Sequence, residues 1–197
     1  MKNHLFLATG LLAALLWVNP ASATSCAEQL EERAKSDLAL PYKAFDQTPG
    51  NGWRALSDAG CYREAGELIR RYIALQKEPD RLLYWHQAQS LAFGGENAEA
   101  AKIGKAHGLR PADDVLTFGY RWNEFALATI AYWQADKAEF ARQKVQLASA
   151  IQAEPNVPAV KANRGLLDAL SKLEQCFNDP YAKAVRCEQS ASASNAD

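Results

Sequence analysis

The sequence predicts an all-α fold: a stack of about three helical hairpins with an N-terminal helix and a C-terminal closing helix. Three observations predict it. First, Val, Ile and Thr are scattered, and no run alternates apolar with polar between turn residues, so there is no strand signal. Second, Ala, Leu, Glu, Lys, Gln and Arg fill most long stretches, and these residues lose least on entering a helix. Third, a helix, tight turn, helix pattern recurs: Gly60 and Gly95 lie 35 residues apart, and Gly95 and Ala135 lie 40 apart. A single hairpin cannot bury its own apolar face, whereas stacked hairpins share a continuous core. A globular helix bundle is the rival arrangement.

Residues 1–23 read as an export leader. Lys2 gives the positive start, and Leu5 to Val18 is apolar except for Thr9 and Gly10. Asn19 and Pro20 break the helix, and Ala21-Ser22-Ala23 is a small-residue cleavage site. Cleavage there makes Thr24 the first mature residue and implies a periplasmic or secreted protein. Two alternatives are weaker. An uncleaved leader would act as a membrane anchor, against the Ala-Ser-Ala site. Ala23-Thr24-Ser25-Cys26 loosely resembles a lipobox, but Ala23 stands where leucine belongs, and acylated Cys26 would leave three cysteines, an odd number.

The mature elements follow in order. Cys26 to Leu38 is a short helix with Ala27, Leu30, Ala34 and Leu38 on one side, ended by Pro41. Gln47 to Gly52 is a turn cluster. Trp53 to Ala59 is a helix stopped by Gly60. Tyr62 to Gln76 keeps Tyr62, Ala65, Leu68, Ile69, Tyr72 and Ile73 at helical spacing. Lys77 to Asp80 is a break. Arg81 to Phe93 and Ala98 to His107 flank the Gly94-Gly95 turn. A connector, Leu109 to Gly119, contains Pro111 and is long for a hairpin repeat. Arg121 to Gln134 and Lys137 to Ile151 flank Ala135-Asp136, and Pro158 to Leu173 closes the stack. The domain runs over 24–187, and the small polar residues of 188–197 predict a disordered tail.

The turns 59–65, 94–100 and 134–140 carry a family resemblance. Gly60, Tyr62 and Ala65 occupy the turn glycine, the following aromatic and the small residue that opens the second helix. Gly95, Asn97 and Ala100 match less fully, Ala135 and Phe140 depart, and prolines close units near Pro79, Pro111 and Pro155. This resembles the tetratricopeptide repeat, whose period is about 34 residues. The resemblance covers roughly 110 residues. It implies a right-handed α-solenoid whose first helices line a concave groove for a peptide or protein partner.

By that resemblance the groove positions are Arg54 and Ser57 in the first unit. In the second they are Trp85, His86, Gln89 and Phe93, and in the third Trp122, Phe125, Thr129, Tyr132 and Trp133. Rows of aromatics suit binding hot spots, but helical aromatic stripes also make cores. In the groove reading, Trp85→Ala with Phe93→Ala abolishes partner binding without unfolding the chain. His86 could pair with Glu124 as a base and its orienter, yet no nucleophile signature accompanies it, and the chain is read as a non-enzyme. His107 sits where a cation complements a helix end. Arg63, Arg70, Arg71, Lys77 and Arg81 interleave with Glu64, Glu67, Glu78 and Asp80, the pattern of a solvated face. Gly94-Gly95 lacks the Lys-Ser/Thr of a phosphate loop.

Composition and cysteines bound the function class. The mature chain has 21 basic and 23 acidic residues, a near-neutral balance that argues against nucleic acid and against a polybasic membrane anchor. Cys26, Cys61, Cys176 and Cys187 form an even set, which in an exported chain suggests two disulfides. Of three connectivities, Cys26–Cys61 and Cys176–Cys187 join near neighbours and are favoured. There is no Cys-x-x-Cys pair and no histidine cluster, so neither a metal nor a cofactor is expected. The expected function is a protein-interaction or scaffold module. The alternative is a periplasmic inhibitor or immunity-type protein that acts through loops, such as the 109–119 connector, on a secreted hydrolase.

Overall fold

A computed structural model describes residues 24–111 and 119–188, so the expected leader, most of the connector and the tail from 189 lie outside the described residues. Ten helices and no strand are found among the described residues. They are α1 (Cys26–Asp37), α2 (Tyr42–Gln47), α3 (Gly52–Asp58), α4 (Tyr62–Ala74) and α5 (Arg81–Phe93). After these come α6 (Asn97–His107), α7 (Trp122–Trp133), α8 (Lys137–Ala153), α9 (Val160–Gln175) and α10 (Tyr181–Ala184). Helices adjacent in sequence pack on one another from α2 to α6 and again from α6 to α10. In addition α1 packs on α3 and α4, α9 reaches back to α7, and α10 reaches back to α5.

Local chemistry sets the starts. Ser25 and Glu28 form a reciprocal cap, with the Glu28 N–H donating to Ser25 Oγ at 3.3 Å and the Ser25 N–H donating to Glu28 Oε2 at 2.8 Å. Asp80 accepts from the Leu82 N–H at 2.8 Å, and Asp136 accepts from the Glu139 N–H at 3.0 Å. The three tight turns share one geometry. In each, the residue past the helix end is left-handed: Gly60 at φ 80°, Gly95 at φ 85° and Ala135 at φ 55°. The next N–H reaches back into the last helical turn, Cys61 to Leu56, Glu96 to Leu91 and Asp136 to Ala131, at 2.8–2.9 Å. This is the Schellman closure, which satisfies carbonyls a helix end leaves open.

Two apolar clusters hold the helices. One joins Leu30, Phe45, Trp53, Leu56, Leu68, Ile69, Tyr72 and Leu83, from α1 to α5. The other joins α5 through α10 around Trp85, Phe125, Tyr132, Trp133, Phe140, Leu147, Leu170 and Tyr181. The favoured disulfides are both present: Cys26–Cys61 ties α1 to the start of α4, and Cys176–Cys187 closes the segment after α9. Two asparagines pin the ends of the connector. Asn123 accepts from the Arg110 N–H and donates to its carbonyl, at 2.7 and 2.9 Å. Buried Asn163 accepts from the Arg121 N–H at 2.9 Å and donates to the Gly119 carbonyl at 2.8 Å.

Two helices differ from expectation. Pro41, read as the end of the first helix, and Pro180 sit at the cap positions of α2 and α10. A proline lacks the N–H that a helix start leaves unpaired and holds φ near the helical value, so it ends one helix and opens the next.

Candidate functional site

Five of the expected groove residues belong to the core. Trp85 is 2% exposed, Phe125 8%, Thr129 0%, Tyr132 5% and Trp133 4%. The Trp85 ring centroid lies 5.1 Å from Trp122, 6.1 Å from Phe125 and 5.4 Å from Trp133, and Trp122 donates from Nε1 to the Gly108 carbonyl at 2.7 Å. The physical reason is that α7 has neighbours on several sides: eight of its twelve residues are buried, so its aromatic row faces protein. Thr129 spends its hydroxyl on the Phe125 carbonyl at 2.9 Å. Trp85→Ala with Phe93→Ala therefore cannot report on binding alone, because it opens the core.

Arg54, Ser57, Gln89 and Phe93 do meet at a surface, which His86 and Trp122 do not line. A recess of about 420 Å³ is lined by Pro49, Trp53, Arg54, Ser57, Asp58, Gln89, Ser90 and Phe93. A second, of about 440 Å³, is lined by Gln89, Phe93, Phe125, Gly165, Asp168, Ala169, Lys172, Leu173, Tyr181 and Val185. Gln89 and Phe93, one turn apart on α5, border both. α3 supplies the wall on one side, and α9 and α10 supply it on the other. Gly165 opens its wall, since a Cβ there meets nothing within 4 Å. Each recess offers an apolar floor with one carboxylate and one cation. The Arg54 guanidinium lies 4.4 Å above the Trp53 ring and donates from Nε to the Asp46 carbonyl at 2.6 Å.

His86 pairs with Asp46, on α2, and not with Glu124. Its Nδ1 lies 2.7 Å from Asp46 Oδ1, which also accepts from Trp53 Nε1 at 2.9 Å, while Gln47 Nε2 bonds the other carboxylate oxygen. Asp46 is 0% exposed. Burial pushes its carboxyl up, but the His86 and Trp53 hydrogen bonds and the Arg54 charge outweigh this and hold its pKa below the usual carboxylate value. The pair ties α2 and α3 to α5, behind the first recess. Glu124 instead pairs with Arg121 at 3.4 Å. His107 stacks on Tyr84 at 4.2 Å in the last turn of α6.

The sequence left α10 out altogether, and with it Tyr181. Tyr181 is 4% exposed, and burial pushes its hydroxyl up to about 12. The interleaved charges are the expected solvated face: Arg63 pairs with Glu96, Arg70 with Glu67, and Arg71 with Glu67 and Glu31. Of the connector, 112–118 lie outside the described residues. Among the described residues no helix is long and apolar enough to cross a membrane.

No family model, curated protein or solved structure matches the chain. Function is therefore read from the recesses and the disulfides.

Proposed function

We propose that this chain is an exported helical-repeat module, similar to tetratricopeptide proteins, that binds a peptide or protein partner across the face of α3, α5, α9 and α10. One observation carries the reading: two recesses of comparable size share Gln89 and Phe93 as a common wall. A chain crossing that wall places one apolar side chain in each recess while the Gln89 amide bonds its backbone, and the mixed charges at Arg54, Asp58, Asp168 and Lys172 suit a polar main chain at the rim. The two disulfides are compatible with an oxidising extracellular compartment.

The test fills the recesses without touching the core. Ser57→Arg narrows the first, and Gly165→Tyr projects a ring into the second from a position with free space. Mature oxidised protein is used to capture partners from an envelope extract beside this double variant. A protein bound by the unmodified chain and lost with the variant, at unchanged melting temperature, supports the reading. Undiminished capture moves the interface elsewhere and defeats it.

A further inference from the structure

The aromatic face between α5 and α7 already has an occupant, the chain's own C-terminal segment. The chain turns at Cys176, and α10 brings Tyr181 back onto that face. The Tyr181 ring lies 5.0 Å from Phe93, 5.9 Å from Tyr132 and 5.6 Å from Trp133, and its hydroxyl accepts from Gln89 Nε2 at 3.4 Å. The Tyr132 hydroxyl donates to the Cys176 carbonyl at 3.0 Å and also bonds the Asp179 carbonyl. The segment is anchored mainly by buried Tyr181 and Ala184, while Cys176, Phe177, Val185 and Cys187 are only partly buried. A four-residue helix does not hold itself together, so a covalent bond closes the segment.

We propose that the Cys176–Cys187 disulfide is a redox latch on this face, opened by a thioredoxin-like dithiol and closed by reoxidation. Both cysteines line an open recess of about 510 Å³ beside Lys183 and Arg186. Lys183 is paired with Asp179 at 2.9 Å and Glu188 also lines the recess, so Arg186 is the cation that stabilises the thiolate that leaves. In the other disulfide Cys61 is buried and Cys26 is half-buried, and the Glu64 carboxylate lies within 4.8 Å of both sulfurs, where it repels an attacking thiolate. In the reaction a thiolate of the dithiol attacks one latch sulfur, the Cys176–Cys187 bond breaks, and the departing sulfur takes a proton. The second thiol then attacks the mixed disulfide. The dithiol ends as a disulfide, and the latch ends as two thiols with two electrons and two protons gained.

Loop entropy sets the size of the effect. Cysteines 11 positions apart constrain the open segment enough that reduction raises its population on the order of a hundredfold. Tyr181 then remains docked most of the time, but a competing ligand pays a correspondingly smaller penalty. The ligand that fits is defined by what it displaces: an aromatic side chain on a short helical turn with a hydroxyl for Gln89. This deepens the partner reading given above, but the latch itself is tested without any partner.

The test uses the mature full chain before and after treatment with a thioredoxin system, beside the Cys176→Ser/Cys187→Ser variant, which opens the latch and spares Cys26–Cys61. Hydrogen exchange of 177–186 is expected to rise on the order of a hundredfold in both open forms, with α4 unchanged. A labelled peptide of residues 178–185 is expected to bind the open forms only, at concentrations of the order of millimolar, which match a short tether. Unchanged exchange at 177–186, reduction of Cys26–Cys61 as fast as Cys176–Cys187, or no peptide binding to the opened protein each overturns the latch. Capture by the two recesses is measured on the oxidised chain, where α10 keeps its place as a wall of the second recess, so the two readings fail separately.

Discussion

The two ends of the molecule are closed by opposite chemistry. At the N-terminal end, α2 is fastened by a charge: Asp46, fully buried, collects hydrogen bonds from His86, Trp53 and Gln47. At the C-terminal end, α10 is fastened by a ring: Tyr181 lies among Phe93, Tyr132 and Trp133. Each end also has a disulfide, with Cys61 buried in the first and both cysteines partly exposed in the second. A buried charge needs all its donors together, so it fixes one geometry and is costly to disturb. A ring in an aromatic setting contributes area with little directional demand, so it can leave and return. The first end is built as an anchor and the second as a closure that can open.

Removing the anchor should have the largest effect. Asp46→Ala strips the acceptor from Trp53 and His86 inside the protein, and about 3–5 kcal/mol of stability should be lost, read as a global shift in urea denaturation of the oxidised chain. Asp46→Asn, which keeps an acceptor, should lose less. Tyr181→Ala should lose about 3 kcal/mol, but locally. Exchange at 177–186 should rise with little change in α1 to α4. A global transition from Tyr181→Ala equal to that of Asp46→Ala would erase the contrast between the ends.

The ends should also part company with pH. Asp46 is held below its ordinary carboxyl value in the fold, so its contribution is present above the unfolded value of about 4 and is lost as pH falls through the folded one. Tyr132 and Tyr181 are pushed by burial up to about 12, so theirs is present below the unfolded value of about 10 and is lost as pH rises towards 12. Acid should loosen α2 before α10, whereas alkali should loosen both ends, because Tyr42 on α2 is likewise pushed by burial up to about 12. Exchange in α10 rising before that in α2 on acidification would show that Asp46 does not govern its end.

The sequence made the long helices legible, because their apolar stripes run for several turns and Gly60 and Gly95 mark their ends. α2 and α10 were illegible because four to six residues carry no periodicity, and Pro41 reads as a stop. Both closures were hidden for that reason. Asp46 resembled any surface carboxylate, since His86 lies 40 residues away and the relation exists only once α2 folds against α5. The face was half legible. Arg54, Ser57, Gln89 and Phe93 reach it as expected, but periodicity cannot tell an exposed stripe from a buried one on a helix such as α7 that is covered on several sides.

The smallest predicted effect lies in the turns. Gly60 and Gly95 take positive φ at no steric cost, and Ala135 takes φ 55° against the preference of an L residue. Ala135→Gly should therefore stabilise the chain by about 1 kcal/mol, while Gly60→Ala and Gly95→Ala should each lose about 1 kcal/mol. A Cβ at either glycine meets nothing within 4 Å, so those losses isolate backbone conformation from packing. Midpoints in urea for the three variants measure it. If Ala135→Gly stabilises the protein, the α7–α8 turn carries strain that the two earlier turns avoid. If it does not, the lost freedom of the unfolded alanine chain matches the steric cost, and the three turns are energetically alike despite their different residues.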